Sequence, residues 1–351
     1  TSIHADLTIS FGFPKMGHFL APGAALRGEL VNVDISLPPK FKTEGDKFLL
    51  RREPMQALLK ERDQYGHKNS FGHTLLIGGS QGRIGAITMA ARAVHKMGTG
   101  LVTVATWRDC YDALVVKVPS ETMVVPIEID SADYEQYKRN LASYSSIVVG
   151  PGLGLRPEGK QLMEDLFGNY QGPILVDADA LNLIADYKLF DLMINRRAPT
   201  VLTPHPGEMA RLLNCSKEEV VKNPVHTIQE AMRVSHATVL LKGAATLITS
   251  PDDVLYLNHY PNDGMAKAGS GDVLAGMIGG LLGQKMSAFP SALLGVYLHS
   301  LAGQFAATAY GHRSMTAADI IENISHAFKD IKIQTEASAP QKITEGRTWL
   351  L

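Results

Sequence analysis

Gly264-Met265-Ala266-Lys267-Ala268-Gly269-Ser270-Gly271-Asp272-Val273-Leu274-Ala275-Gly276 puts small residues directly before an apolar stretch, Val273 to Leu282, that reads as a helix. The first amide N–H groups of a helix have no partner inside it. With the positive end of the helix dipole they form a site for an anion, most often phosphate. Gly269, Ser270 and Gly271 would be that anion hole, since small residues let a ligand approach the backbone closely. Asp272 is the one ionisable residue of the first turn. An acid there can take a proton from a hydroxyl while the amides hold developing negative charge. Phosphoryl transfer needs those two parts side by side. A Gly-rich turn followed by an ordinary first-turn aspartate looks the same locally, so the run alone leaves both readings open.

Outward from this run, short apolar segments alternate with helical periods from about Tyr65. Strands are expected at Thr74–Ile77, Leu101–Ala105, Ser146–Val149, Ile174–Val176, Thr200–Leu202, Thr238–Leu241 and Thr246–Ile248. Helices are expected at Ala86–Met97, Pro157–Phe167, Ala180–Ala185, Pro206–Leu213, Val225–Ser235, Asp272–Leu282, Pro290–Ala309 and Thr316–Lys329. Near-continuous apolar strands alternating with helices argue an α/β fold with a largely parallel sheet covered on both faces. Before it, Leu7–Phe11 and Leu30–Ile35 read as strands around a Gly/Pro-rich connection. The expected division is 1–37 as a small N-terminal piece, 38–64 as a linker and lead-in helix, 65–330 as the main domain and 331–351 as a polar tail.

The 351 residues carry 34 basic and 35 acidic side chains and are 45 % hydrophobic. That balance suits a sizeable core and gives no support for nucleic acid as a partner. Cys110 and Cys215 match no metal or redox spacing and read as reduced core thiols of a cytoplasmic protein. No apolar run is long enough for a bilayer, and no signal-peptide pattern opens the chain. The chain does not begin with Met, which reads as processing or as a piece of something longer. A homo-oligomer is expected.

In an open α/β sheet, ligands bind beyond the carboxyl ends of the strands, so six strand-end motifs belong together. Gly78-Gly79-Ser80-Gln81-Gly82-Arg83-Ile84-Gly85-Ala86 can hold a pyrophosphate but lacks dinucleotide-fingerprint spacing. Gly150-Pro151-Gly152-Leu153-Gly154 is a bare, tight loop. In Asp177-Ala178-Asp179, Asp179 can cap the next helix and Asp177 can serve a metal or a hydroxyl. In Thr203-Pro204-His205-Pro206-Gly207-Glu208, His205 is held stiffly between prolines. Glu208 can hold a hydrated Mg²⁺ or simply favour the helix start. Lys242-Gly243-Ala244-Ala245-Thr246 suits a nucleotide, or is a solvated lysine before a hairpin. The glycine–aspartate run is the sixth.

The order of these six motifs from Phe71 to about Ile324 resembles the ADP- or ATP-dependent NAD(P)H-hydrate dehydratases of the ribokinase-like superfamily. Ala90-Ala91-Arg92-Ala93, Gly98-Thr99-Gly100-Leu101-Val102 and Leu298-His299-Ser300-Leu301-Ala302-Gly303 add to the likeness. The resemblance implies a three-layer α/β/α sandwich and a lyase that uses ADP or ATP, with Mg²⁺, to remove water from hydrated NADH or NADPH. It implies Asp272 as the catalytic residue that activates the substrate hydroxyl for phosphorylation. Ala86, Gly154, His205 and Asp272 would line the hydrated cofactor. Lys242, Gly243, Ala244, Ala245, Thr246 and Gly271 would line the nucleotide, and Glu208 would lie near the metal. Lys267 and Ala268 depart from the family's usual small polar residue and glycine, Gln304 replaces a frequent aspartate, and Arg83 fills a variable position. Lys267 could place a positive charge near the anion site.

Ala5–Gly12, Pro14-Lys15, Gly17-His18, Pro22-Gly23 and Val33-Asp34-Ile35 resemble the end of an NAD(P)H-hydrate epimerase domain, which implies a bifunctional parent protein. Lys15 and His18 then read as relics without a catalytic role. Two rival readings stay open: a small-molecule kinase of the same superfamily, of hydroxymethylpyrimidine or thiazole type, and a non-catalytic nucleotide sensor.

Overall fold

The computed structural model describes residues 3–38, 40 and 45–332. Its strands are β1 (Leu7–Phe11), β2 (Glu29–Val33), β3 (Lys47–Leu49), β4 (His73–Ile77), β5 (Leu101–Trp107), β6 (Thr122–Ile127), β7 (Ser146–Val149), β8 (Ile174–Val176), β9 (Thr200–Leu202), β10 (Thr238–Leu241), β11 (Ala245–Thr249) and β12 (Leu255–His259). Ten of them form one sheet in the order β3-β12-β11-β10-β9-β8-β7-β4-β5-β6. Every neighbouring pair is parallel except the two made by β11. Parallel strands need crossovers, and here those are helices on both faces.

Side-chain alternation divides the core in two. Leu76, Val148, Leu175, Val201 and Leu240 point to one face, where they meet helices Ile84–Lys96, Ser270–Gly283, Ala288–Tyr310 and Ala317–Lys332. Leu75, Ile77, Ile147, Val149, Ile174, Val176 and Val239 point to the other, against helices Glu158–Asn169, Asp179–Tyr187, Pro206–Leu212 and Pro224–Ser235. The result is a three-layer α/β/α sandwich. Helix Ser270–Gly283 is apolar nearly all round because it lies inside its layer, between the sheet and its neighbouring helices.

All seven strands expected in the main domain form. Three others join them from segments without a matching expectation. β3 comes from the polar stretch 38–64, which also holds the lead-in helix Arg52–Leu58, and it extends the sheet beyond β12. β6 is the opposite edge, a place in a sheet where an internal proline such as Pro126 is tolerated. β12 closes a hairpin with β11.

β1 and β2 pair in parallel as a separate two-stranded sheet. They bury little between themselves, and their anchors are aromatic. Phe13 clusters with Phe48 of β3, and Phe19 reaches the main core, edge-on to His259 of β12 at 5.2 Å. Lys15 Nζ donates to the Phe11 and Phe13 carbonyls, and the Lys15 N–H donates to His18 Nδ1, so both side chains serve their own turn.

Cys110 is buried, whereas Cys215 is half-buried rather than core, and both are unpaired. Among the described residues no helix is long and apolar enough to cross a membrane. The polar tail from Gln334 lies outside the described residues.

Candidate active site

Parallel strands bring their carboxyl ends to one edge of the sheet. The loops after β4, β7, β8, β9 and β10 therefore lie side by side, in the spatial order β10-β9-β8-β7-β4. Backbone bonds tie them together. Gly79 N–H donates to the Pro151 carbonyl at 3.0 Å, Asp177 N–H to Val149 at 3.0 Å, Thr203 N–H to Val176 at 3.2 Å and Lys242 N–H to Pro204 at 2.9 Å. Gly150 makes the closest of these approaches. At φ +125° a Cβ there would sit 1.7 Å from the Asp177 carbonyl oxygen, so only glycine fits.

At the centre is one ammonium among carboxyls. Lys242 turns inward and its Nζ lies 2.7 Å from Asp177 Oδ1 and 3.9 Å from Glu208 Oε2. Asp177 is 1 % exposed and Glu208 7 %. Asp177, Glu208 and Asp272 outweigh burial and hold Lys242 charged. The alternative of a solvated lysine fails here, and Asp177, read only as a possible metal or hydroxyl ligand, is its ion-pair partner.

Asp272 stands in the first turn of helix Ser270–Gly283. Burial pushes its carboxyl up to about 7; Asp177, Asp179 and Glu208 push the same way and Lys242 opposes them. The helix has Gly269 as its N-cap, at φ +95° and without a side-chain cap. The Ser270 N–H donates to the Lys267 carbonyl at 3.3 Å, and the rest of the first turn is left open to an anion. A Cβ on Gly271 would sit 3.4 Å from Lys242 Nζ, which fixes the lysine beside that opening. Gly243, Ala244, Ala245 and Thr246 form the turn and first residues of the β10–β11 hairpin that carries Lys242.

His205 caps helix Pro206–Leu212. Its Nδ1 accepts from the Gly207 and Glu208 amides at 2.9 and 3.2 Å, and its own N–H donates to Glu208 Oε2 at 2.8 Å. Because Nδ1 accepts, the ring proton belongs on Nε2, 3.3 Å from Glu208 Oε1. Burial, with Lys242 acting the same way, lowers its pKa. Burial pushes Glu208 up to about 6, against the pull of Lys242.

On the β4–β7 side, Asp179 does not cap its own helix. Its Oδ2 accepts the Gly154 N–H at 2.8 Å and lies 3.4 Å from Arg83 Nη1. Trp107 Nε1 holds the same loop through the Leu153 carbonyl at 2.8 Å. Ala86, in the first turn of helix Ile84–Lys96, lies against Gly152. Asp179 thus links the Gly154 loop to the Asp272 cluster.

Lys267 goes elsewhere. Its Nζ donates to the Arg313 and Met315 carbonyls, which binds the glycine-rich run to the loop before helix Ala317–Lys332 and occupies the charge. The sequence reading also gave no role to His299. It is 8 % exposed in helix Ala288–Tyr310, and its Nε2 lies 3.0 Å from the Ser270 carbonyl oxygen. Nothing in a lone histidine on an apolar helix separates that role from ordinary core packing.

Four carboxyls against one ammonium suit a divalent cation. Among the described residues no three His, Cys, Asp or Glu side chains form a ready-made cage. Magnesium needs none, since it commonly keeps its waters and uses one or two carboxylates with phosphate oxygens. Glu208 is the candidate for that role, whereas Asp177 is already paired with Lys242.

A family profile described as NAD(P)H-hydrate dehydratase matches residues 74–326. The bifunctional NAD(P)H-hydrate repair enzyme of Moorella thermoacetica is 38 % identical over 344 residues, covering 95 % of this chain and 64 % of the relative. The chain thus spans under two thirds of such bifunctional relatives. The ADP-dependent (S)-NAD(P)H-hydrate dehydratase of Neisseria meningitidis is 34 % identical, over 75 % of this chain and 88 % of its own length. Among solved structures, the ADP/ATP-dependent NAD(P)H-hydrate dehydratase of Bacillus subtilis, co-crystallised with ATP/Mg²⁺, superposes with a TM-score of 0.69. It is 26 % identical over 80 % of this chain and 98 % of that one.

Proposed function

This chain belongs to the NAD(P)H-hydrate dehydratase family, and from that membership we propose that it removes water from hydrated NADH or NADPH at the expense of ADP or ATP. The observation that carries the reading is Asp272, a carboxyl with raised proton affinity at the open start of an anion-accepting helix, beside Lys242. In this reading the substrate hydroxyl oxygen attacks the terminal phosphorus of the nucleotide. Its proton passes to Asp272 as the phosphorus–oxygen bond to the nucleotide breaks. The carbon–oxygen bond then breaks, phosphate leaves with the electron pair, and loss of a neighbouring ring proton restores the double bond. Amides of Gly269 and Gly271 hold the transferring group, the Ser270 amide joining them only by leaving the Lys267 carbonyl. Lys242, with the hairpin Gly243–Thr246, receives the nucleotide, while Ala86, Gly154 and His205 receive the hydrated cofactor. Magnesium, held through Glu208, supplies charge neutralisation of the phosphates.

We place residues 65–330 as the dehydratase domain, 38–64 as its lead-in, 1–37 as the end of an epimerase-like unit and 331–351 as a tail. A parent protein carrying the whole unit would also epimerise the hydrate. The balanced charge and unpaired thiols support a cytoplasmic setting. A homo-oligomer completes the proposal, and sedimentation velocity tests it.

The decisive assay incubates the protein with hydrated cofactor and each nucleotide and follows recovery of reduced-nicotinamide absorbance. Recovery that depends on nucleotide is expected. A stable phosphorylated product without recovery would assign the chain to the small-molecule kinases instead.

A further inference from the structure

The chemistry above leaves one buried imidazole without a task. His299 Nε2 lies 3.0 Å from the Ser270 carbonyl oxygen and 3.4 Å from Ser270 Oγ. A carbonyl oxygen only accepts, so Nε2 must carry the ring proton. A nitrogen that carries a proton cannot also receive one. The Ser270 hydroxyl therefore cannot donate to His299, and Oγ has no other partner among the described residues. Ser270 is 8 % exposed, so bulk water is a poor alternative. It is also the first residue of helix Ser270–Gly283, directly after the uncapped Gly269. The natural acceptor left for its proton is an anion seated at that helix start.

We infer that His299 is a positioning residue that commits the Ser270 hydroxyl to donate to the phosphoryl group in transfer, adding a side-chain donor to the backbone amides there. The inference rests on the phosphoryl-transfer reading of the site. Burial pushes the His299 ring down to about 4, and the charge of Lys242 acts the same way, so the imidazole stays neutral. Neutrality fits the arrangement, because a cation at this depth would compete with Lys242 for the transferred charge. Ser270 touches the reacting group; His299 acts only through it.

The test is a double-mutant cycle on the full chain with S270A, H299L and the double variant, and with H299Q, which keeps an N–H donor. Ser270→Ala is expected to lower kcat ~10-fold or more, with the ADP dissociation constant moved less than ~3-fold, because the donor matters most once charge develops. His299→Leu should lower kcat similarly, and the double variant should be no slower than the worse single one. His299→Gln should recover most of the loss. Binding of ADP with aluminium fluoride, a mimic of the transferring phosphoryl, should weaken in S270A and H299L. That readout does not depend on dehydratase turnover, so it separates failure of this inference from failure of the proposed function. Circular dichroism and ADP titration establish that each variant is folded; if H299L is not, S270A and H299Q carry the test. Wild-type kcat and unchanged aluminium fluoride affinity in S270A would overturn the inference, as would fully additive losses in the double variant.

Discussion

A buried carboxyl among other carboxyls gives up its proton late even with an ammonium beside it, and Asp272 is that group. Asp272→Asn should lower kcat by ~10²–10⁴-fold while ADP binding, measured by calorimetry, changes little. A variant with near-normal turnover would remove Asp272 as the base. The pH dependence has a definite sign. The base must be ionised, so kcat/KM of the wild type should fall as pH drops through about 7, and kinetics between pH 5 and 9 test it. Stability runs the other way. The folded-state pKa is raised above the usual value near 4, so this carboxyl favours the folded state in acid, and that support is lost as pH rises towards 7. Asp272→Asn is therefore expected to raise Tm by ~3 °C or more at pH 8, with the gain shrinking towards pH 4. Melting curves at the two pH values decide it; a variant less stable than wild type at pH 8 contradicts the burial and charge crowding of this carboxyl.

At the scale of elements, two short pieces of backbone divide the site. The β10–β11 hairpin turns at Gly243-Ala244 next to Lys242, and a larger side chain there would intrude on whatever the lysine side receives. Ala244→Leu should raise the KM for nucleotide more than the KM for hydrated cofactor. The reverse pattern in steady-state kinetics would mean the two halves of the site have been exchanged. The start of helix Ser270–Gly283 depends on Gly269. At φ +95° a Cβ would lie 2.6 Å from Met89 Cε and 2.9 Å from Ala317 Cβ. Gly269→Ala should cost ~1–3 kcal/mol in denaturant unfolding, together with lost activity as the amides move. The seven main-domain strands were legible because each is a short, mostly apolar run bounded by turn signals. β6 and β12 escaped notice for opposite reasons. The first is an edge strand with mixed exposure and an internal proline, and the second is defined by its hairpin partner.

For the molecule as a whole, the N-terminal piece has no core of its own and is held by Phe13 on Phe48 and by Phe19 on the main domain. Deleting residues 1–37 should leave dehydratase kcat within a few-fold. It should cost ~3 kcal/mol or more of stability, since large buried aromatics are lost and Phe48 is uncovered. Denaturant unfolding and turnover of the truncated chain check both halves. A folded truncation without activity would mean that the piece completes the site.

The sequence by itself determined the class of fold, the strand-end position of five of the six motifs and the place of Asp272 in the first turn of a helix. Those features are local: apolar period, turn chemistry and the order of strand and helix along the chain. Tertiary structure alone decided the partnerships. Lys242 and Asp177 are far apart in the chain and meet because β10 and β8 flank β9. Asp179 serves Gly154 instead of its own helix, Lys267 is drawn away to the Arg313 and Met315 carbonyls, and His299 finds Ser270 across a helix pair. Such pairings depend on which strands neighbour one another and on how buried the groups become. Burial and charge crowding, and with them the raised proton affinity of Asp272, exist only once the sheet has assembled.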